Sequence, residues 1–155
     1  MPPIMRVWSR KLKKMIYAGD PIDDALTKPY DYLKSFNEFL PVIELLVGLD
    51  EAIVAVNELD HAAWLPSRDF VVMLYTGARD VHGIPIYERD IVRVTLPSTG
   101  ELVYGVVGYV PKETAFLVLG RETRVSLGTL TSKKDFKVEV VGSVYETPEL
   151  MKMCE

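Results

Sequence analysis

The sequence contains one cysteine, two histidines and no long apolar run, and each shortage excludes a kind of protein. Because Cys154 is alone, an internal disulfide is impossible, and nothing indicates an oxidising compartment. No apolar run reaches the roughly 18 residues that a membrane span needs. The first twenty residues are basic, but no apolar signal-peptide core follows them. We therefore expect a cytoplasmic protein without a membrane partner.

The motifs of common enzymes are also missing. The sequence has no phosphate-binding P-loop, no dinucleotide-binding fingerprint and no Gly-x-Ser-x-Gly elbow. His61 and His82 lie in unlike segments, and neither has cysteine or histidine at metal-ligand spacing. Cys154 stands next to the C-terminus, where chains are usually poorly ordered, so it is a weak candidate nucleophile. We expect no metal, no cofactor and no enzyme activity, with an enzyme of unrecognised site as the remaining alternative.

The net charge of −4 combines a basic beginning with an acidic segment. Residues 1–20 carry five basic side chains against Asp20 alone, and residues 36–60 carry six acidic side chains without lysine or arginine. A basic arm is typical of nucleic-acid binding. Since the chain as a whole is acidic, solvated faces or two neighbouring segments are the favoured interpretation. The basic side chains are Arg6, Arg10, Lys11, Lys13 and Lys14.

Residues 1–68 predict a β-rich N-terminal lobe with a short helix. The start of the chain is typical of extended backbone, and Ser35 with the glutamate three residues later matches a capping box. The segment 42–59 fits either a buried helix or two strands, Val42–Leu49 and Ala52–Leu59. Its many β-branched residues favour the strands.

From residue 69 onwards, short apolar strands alternate with turn signals at the spacing of an all-β barrel or sandwich. This pattern favours a small SH3-like β-barrel over 69–155, so the fold class is mainly β (α+β). Thr147 and Pro148 indicate a short helical turn near the end. The predicted strands cover 69–75, 84–96, 101–110, 115–120, 124–130 and 136–145.

The stretch "YTGARDVHGIPIYERDIV" at 75–92 resembles the signature of the YopX family of bacteriophage and prophage proteins. The segments "MRVWSRKLKKMIY" at 5–17 and "VGSVYETPEL" at 141–150 are similar to the two ends of that family. The resemblance therefore makes 1–155 one continuous family domain. Its signature residues here are Tyr75, Thr76, Gly77, Asp80, Gly83, Ile86, Tyr87, Asp90, Ile91 and Val92.

The resemblance implies a β-rich fold with a barrel, and a phage- or prophage-derived accessory protein in the host cell cytoplasm. It does not imply a reaction. This chain departs from the family at two positions: Arg89 stands where the family usually has glycine, and Ser143 where it usually has asparagine. From the first departure we expect that the backbone at Arg89 does not need a positive φ. The second removes one side-chain amide from the closing strand.

The signature is typical of a segment that specifies its own backbone. Its two glycines suit turns, Asp80 can bond the backbone two residues on, and Asp90 is expected to hold a loop by accepting N–H groups. Ile86 and Tyr87 point in opposite directions on a strand, so we expect one of them to enter the core.

A catalytic or metal site on Asp80, Glu88 and Asp90 is the alternative interpretation, since carboxylates serve as bases and metal ligands. Arg79 and Arg89 are interleaved with them. That arrangement favours an internally neutralised charge cluster.

Both faces of the predicted strand 101–110 are apolar, with Leu102 and Val106 on one face and Val103 and Val107 on the other. A small single barrel does not usually bury both faces of such a strand. We therefore expect a non-enzymatic binding or assembly module that self-associates as a homo-oligomer, with a phage or host protein as a further candidate partner. Coverage by the N-terminal lobe is the alternative explanation.

A nucleic-acid-binding barrel is the alternative function, because small barrels often bind strands on an aromatic and basic surface. Basic and acidic side chains are equally numerous over 70–130, which weakens that interpretation. The candidate nucleic-acid-binding residues are Arg93, Tyr104, Tyr109, Arg121 and Arg124.

Overall fold

The computed structural model describes residues 1–20, 29, 51–56 and 62–155, with the backbone alone for 51–56 and 62–67. The chain divides into two compact units. The first comprises Met1 and Pro3–Met73, and the second comprises Pro2 and Leu74–Glu155. Over these described ranges, no helix is long and apolar enough to cross a membrane.

The first unit begins with a β-hairpin, in agreement with the predicted extended start. Strand β1 (Met5–Ser9) pairs antiparallel with β2 (Lys14–Tyr17). Val7 and Ile16 lie directly opposite each other and are both buried. Burial of such a β-branched pair on one face fixes the register of the two strands.

The predicted basic arm is this hairpin, and its charges have different surroundings. The guanidinium of Arg6 is buried and donates to the Tyr17 hydroxyl at 3.3 Å. The Lys11 ammonium lies 3.4 Å from the Asp69 carboxylate, and Lys13 occupies the left-handed turn position with φ 52°. The segment is therefore a folded hairpin with only part of its positive charge in solvent.

A second strand pair lies later in the first unit. Strands β3 (Glu51–Val56) and β4 (Ala62–Pro66) form a two-stranded antiparallel sheet. The strand interpretation of the ambiguous segment is thus confirmed where its second half is described. Val42–Leu49, the capping box at Ser35 and His61 lie outside the described residues.

The second unit contains a five-stranded antiparallel sheet with the strand order β10-β9-β8-β7-β11. Its strands are β7 (Asp90–Thr95), β8 (Leu102–Val110), β9 (Ala115–Leu119), β10 (Arg124–Ser126) and β11 (Lys137–Ser143). Strand β5 (Phe70–Arg79) pairs antiparallel with β6 (Pro85–Tyr87). The mainly β class is therefore confirmed, and β10 and β11 are the outermost strands of the five-stranded sheet.

The core of the second unit lies on one face of this sheet. Val94 on β7 lies opposite Val103 on β8 and Val138 on β11, so one row of apolar side chains crosses three strands. Alternate positions along each strand face the same side, which is why the predicted apolar strands bury one face. The fully buried cluster is Ile86, Val92, Val94, Val107, Val118, Leu127, Leu130 and Val138.

The prediction of a strand over 124–130 is wrong beyond Ser126. Residues Leu127–Ser132 form the short helix α1. Ser126 caps its N-terminus, because the Ser126 hydroxyl accepts the Thr129 N–H at 3.3 Å. Leu127 and Leu130, three positions apart, both enter the core. An apolar pair at this spacing fits one turn of helix. The burial of both leucines therefore favours the helix over the predicted strand.

Asp80 connects the tip of the β5–β6 hairpin to the sheet. One carboxylate oxygen accepts the N–H groups of His82 and Ile84 at 2.8 and 2.9 Å, so the predicted turn at Asp80 is present. The other oxygen accepts the Val140 N–H of β11 at 3.0 Å. Because the Val81 N–H also donates to the Val138 carbonyl at 2.9 Å, the hairpin tip covers the outer edge of β11.

The other two carboxylates of the signature also bind backbone. Asp90 is buried and accepts the Tyr87 N–H at 2.8 Å, while Glu88 accepts the Leu74 N–H at 2.9 Å. The expectation that one of Ile86 and Tyr87 enters the core is met by Ile86, and Tyr87 is buried as well. Ile86 joins the valine core, and the Tyr87 ring packs at 5.6 Å against Tyr75.

The backbone at Arg89 contradicts the expectation from sequence. Its φ is +68°, a left-handed conformation, so the position does adopt the geometry that a glycine would favour. Two hydrogen bonds hold it there: the Arg89 N–H donates to the Val107 carbonyl at 2.8 Å, and the Arg89 carbonyl accepts the Val144 N–H at 3.0 Å. Tertiary contacts therefore impose the turn on a side chain that disfavours it.

The chain ends in a 3-10 helix, Pro148–Met153, at the position that Thr147 and Pro148 predict. The Thr147 hydroxyl does not cap this helix. It donates instead to the Ser143 carbonyl at 3.0 Å and accepts the Ser143 N–H at 2.9 Å. Ser143 is fully buried, and its own hydroxyl accepts the Glu146 N–H at 3.0 Å. The serine at this position thus closes the turn that links β11 to the last helix.

We expect Asp80→Ala to lower the free energy of unfolding by about 2–4 kcal/mol, because it leaves three backbone N–H groups without their acceptor. Asp80→Asn retains one acceptor oxygen and should lose less. Urea unfolding followed by circular dichroism measures both. The exposed Asp135→Ala is the matched control and should change stability by less than about 0.5 kcal/mol. A loss below about 1 kcal/mol for Asp80→Ala would contradict the role given to this carboxylate.

The left-handed backbone at Arg89 predicts opposite effects for two substitutions. Arg89→Val should destabilise the protein by about 1–2 kcal/mol, because a β-branched side chain is the least compatible with positive φ. Arg89→Gly should be neutral or stabilising by up to about 1 kcal/mol, since relief of strain outweighs the greater entropy of the unfolded chain. Equal unfolding midpoints for the two variants would show that φ at this position is unimportant.

Candidate binding cleft

A cavity of about 600 Å³ opens in the second unit beside the end of β7 and the start of β8. We call it the cleft. Its size lies within the range of roughly 300–1,000 Å³ that is usual for ligand pockets. The lining comes from the strands β7, β8 and β10, from α1 and the C-terminal helix, and from the β7–β8, β9–β10 and α1–β11 turns: Val94, Leu96, Glu101, Leu102, Val103, Tyr104, Arg121, Glu122, Thr123, Val125, Leu130, Phe136 and Met153.

The floor of the cleft is part of the hydrophobic core. Val94 and Leu130 are almost fully buried, and Leu96 and Phe136 pack against the same core cluster. Side chains in a packed core are held in single rotamers by their neighbours. The floor is therefore an apolar surface that already has its shape before anything binds.

The mouth of the cleft exposes large apolar side chains. Leu102 is 49% exposed, Val125 is 36% exposed and Met153 is 54% exposed. They belong to three different elements, β8, β10 and the C-terminal helix. Single apolar residues on a surface are common, but three around one concave opening are typical of an interaction site.

The β9–β10 turn forms one side of the mouth and is held at two points. The Gly120 N–H donates to the Thr123 carbonyl at 2.8 Å, and the Arg121 N–H donates to the Cys154 carbonyl at 2.7 Å. A Cβ at Gly120 would lie 2.6 Å from the Tyr104 carbonyl oxygen. Glycine is therefore required here for the turn to lie against β8.

Three charged side chains surround the mouth: Glu101, Arg121 and Glu122. All three are exposed. Among the described residues none of them has an ion-pair partner, whereas Arg124 nearby is paired with Glu113. The mouth thus presents two carboxylates and one guanidinium that are available to a ligand.

A polar row crosses the sheet next to the cleft. Arg93 lies between Tyr104 on β8 and Glu139 on β11, and its guanidinium donates to the Glu139 carboxylate through Nε at 3.1 Å and through Nη2. His82 Nε2 lies 3.5 Å from the other oxygen of that carboxylate. The hydrogen bond from Arg93 holds the pKa of Glu139 below its ordinary value, with a smaller contribution from His82, and the same bond raises the pKa of Arg93.

The five candidate nucleic-acid-binding residues do not form one cationic surface. The guanidinium groups of Arg93 and Arg124 are each bound to a carboxylate. The half-exposed Tyr109 packs edge-on against Phe116 at 5.2 Å. Only Tyr104 and Arg121 line the cleft. The cleft therefore combines two of the candidates with apolar and acidic groups that the nucleic-acid hypothesis did not include.

The described residues contain no group of three or more His, Cys, Asp or Glu side chains that could hold a metal ion. Burial raises the pKa of the Cys154 thiol, which leaves less of the nucleophilic thiolate at neutral pH. The expectation of a poorly ordered terminus at Cys154 is wrong, since this residue is buried and its carbonyl is bound to Arg121.

Most residues of the mouth are absent from the sequence prediction. Val125 and Met153 carry no motif, Glu122 lies between two predicted strands, and Glu101 is the first residue of the predicted strand 101–110. The sequence places Leu102 on an apolar strand face, but nothing in it indicates that this end of the face is exposed. The only available signal was the apolar strand 101–110 itself, because its second face lacks an obvious cover.

A family model and a solved structure relate this chain to YopX proteins, and a second solved structure is similar to it. The family model described as YopX protein matches residues 5–152, and no curated protein matches the sequence. The crystal structure of YopX from Bacillus subtilis is similar over 97% of this chain and 98% of that chain, with 19% identity and a TM-score of 0.61. A crystal structure from Enterococcus faecalis is similar over 97% and 99%, with 18% identity and a TM-score of 0.56. At such low identity the likeness establishes the fold.

The Arg93–Glu139 pair predicts how this carboxyl titrates. Since the pKa of Glu139 is lowered in the folded state, its ionised form stabilises the protein above the unfolded pKa, and this contribution is lost as the pH falls through the folded pKa. Arg93→Gln should raise the pKa of Glu139 towards its ordinary value, and His82→Gln should raise it less. Carboxyl NMR of Glu139 against pH measures this directly. Identical titrations in wild type and Arg93→Gln would contradict the assignment.

Proposed function

The chain belongs to the YopX family, and on that premise we propose that it is a non-enzymatic binding and assembly module whose binding site is the cleft. One observation carries the proposal. A preformed apolar floor is surrounded by Leu102, Val125 and Met153, three large side chains that stay partly exposed. Burying one such side chain completely stabilises a complex by about 1.5–3 kcal/mol, so covering all three supports a reversible association.

The composition of the cleft supports binding in preference to catalysis. Its lining includes neither histidine nor cysteine. Its carboxylates, Glu101 and Glu122, are exposed to solvent, which leaves them without the enclosed surroundings that catalytic carboxylates usually have. An apolar cavity with a few polar groups at its rim is typical of recognition sites.

The topology of the second unit supports an SH3-like architecture, which we include in the proposal. Strands β7 to β10 follow one another as antiparallel neighbours, and β11 returns to lie beside β7. A helical turn, α1, comes directly before that last strand. Short antiparallel strands in this order are typical of SH3-like barrels, a fold that serves many unrelated functions and several peptide-binding domains. The support for a binding function here comes only from the similarity of this strand order to that of SH3-like barrels.

A second copy of the chain is the first partner we propose, so that the protein self-associates as an accessory protein of phage or prophage origin in the host cell cytoplasm. The exposed apolar mouth supports self-association, and the family resemblance supports the origin. A phage or host protein is the next candidate. Nucleic acid has less support, because two of the three candidate arginines, Arg93 and Arg124, are already bound to carboxylates.

Sedimentation over a range of protein concentrations tests self-association through the cleft. The wild-type average mass should rise with concentration. Leu102→Lys and Met153→Lys place a charge in the apolar mouth and should each weaken association by about tenfold or more. Val81→Lys is the matched control, because Val81 is 52% exposed but lies outside the cleft. A monomer at every concentration, or an equal effect of Val81→Lys, would overturn this part of the proposal.

A further inference from the structure

The two edge strands of the five-stranded sheet, β11 and β10, differ in what lies beside them. At β11, the hairpin tip supplies the Val81 N–H to the Val138 carbonyl and the Asp80 carboxylate to the Val140 N–H. At β10, the outer edge has no neighbour among the strands that the structure describes. An edge strand with unpaired N–H and C=O groups is a template for pairing with another chain. The sheet therefore has one edge that is closed and one that is open.

The open edge borders the cleft. Val125 is the central residue of β10, and its side chain is one of the three exposed apolar groups of the mouth. Strand β10 is only three residues long, so backbone pairing alone offers few hydrogen bonds. The adjacent apolar cavity of about 600 Å³ supplies the additional surface that a short edge lacks.

The charges of the mouth select the kind of side chain that would be accepted. Glu101 and Glu122 together outnumber Arg121, and within the described part of the chain none of the three is neutralised by an ion pair. A ligand with lysine or arginine gains from this arrangement, and a ligand with acidic side chains is disfavoured. Because the groups are exposed, each such pair contributes at most about 1 kcal/mol.

We propose that an extended peptide segment of a partner protein adds as a strand to β10, places alternate apolar side chains in the cleft, and directs lysine or arginine side chains towards Glu101 and Glu122. This inference rests on the proposed function, since it specifies what enters the same cleft. Successive side chains of a strand point to opposite sides. One set therefore enters the cavity while the other faces solvent and the rim, and main-chain hydrogen bonds to β10 provide the alignment.

Three fluorescein-labelled hexapeptides are the probes: alternating valine and lysine, alternating valine and glutamate, and the valine–lysine peptide with every backbone amide N-methylated. Fluorescence anisotropy at low salt measures binding to the full chain. The valine–lysine peptide should bind roughly three- to tenfold more tightly than the valine–glutamate peptide, with the difference reduced by added salt. N-methylation should abolish binding, because it removes the donors that pair with β10.

Substitutions test the charge selection by Glu101 and Glu122 separately from the addition of a strand to β10. The double variant Glu101→Gln, Glu122→Gln should lose the preference for the valine–lysine peptide, and because Arg121 remains at the mouth it should favour the valine–glutamate peptide slightly. The exposed Glu149→Gln, which lies outside the cleft, should keep the wild-type preference. These surface changes leave the core intact, and circular dichroism verifies the fold. Equal binding of both peptides by wild type would overturn the charge assignment. Undiminished binding of the N-methylated peptide would overturn strand addition.

The outcome is distinguishable from a failure of the proposed function. If no hexapeptide binds at concentrations up to about 1 mM while wild type self-associates in a way that Leu102→Lys prevents, strand addition is wrong and the cleft remains an assembly site. If the valine–lysine peptide binds and wild type stays monomeric, a separate protein is the partner and self-association is wrong. If the peptide dissociates the self-associated protein, a second copy is the natural occupant.

Discussion

A single buried carboxylate, that of Asp80, is the constraint on which the organisation of the second unit depends. It accepts two N–H groups of its own turn and one from β11, sixty residues later in the chain. A carboxylate has enough lone pairs to satisfy all three donors. The tip of the β5–β6 hairpin is thereby attached to the sheet. Ile86, two residues beyond the tip, can then enter the same core as the valines of β7, β8 and β11.

The two edges of the five-stranded sheet differ in their neighbours. The hairpin tip covers β11, while β10 has no neighbour among the described strands, which is why the proposed strand addition is placed there. The β9–β10 turn is held against β8 at Gly120 and tied to the C-terminal helix through Arg121. The cleft occupies the space between these elements, where the side chains of the core end. The proposed binding surface and the covered edge of the sheet therefore follow from the same arrangement of strands.

Some charged side chains of the second unit form ion pairs within the protein, and others lie exposed at the mouth of the cleft. Arg93 and Arg124 each bind a carboxylate, which removes them from any cationic surface. Arg121, Glu101 and Glu122 lie at the mouth of the cleft and have no ion-pair partner among the described residues. Exposed charges of this kind add little to the stability of a fold. Their placement beside an apolar opening supports the proposed selectivity for a partner.

Much of the fold follows from the sequence by itself. The alternating apolar strands, the turns at Gly83 and Gly100, the Asp80 turn and the C-terminal helix after Thr147 all depend on local patterns and local hydrogen bonds. Other features were decided by tertiary structure. Helix α1 forms because Leu127 and Leu130 reach one core, and Arg89 is forced to positive φ by bonds to Val107 and Val144. The cleft gathers residues from three strands, two helices and the turns between them. Local patterns cannot specify these, because each depends on which distant atoms complete a hydrogen bond or leave a space unfilled.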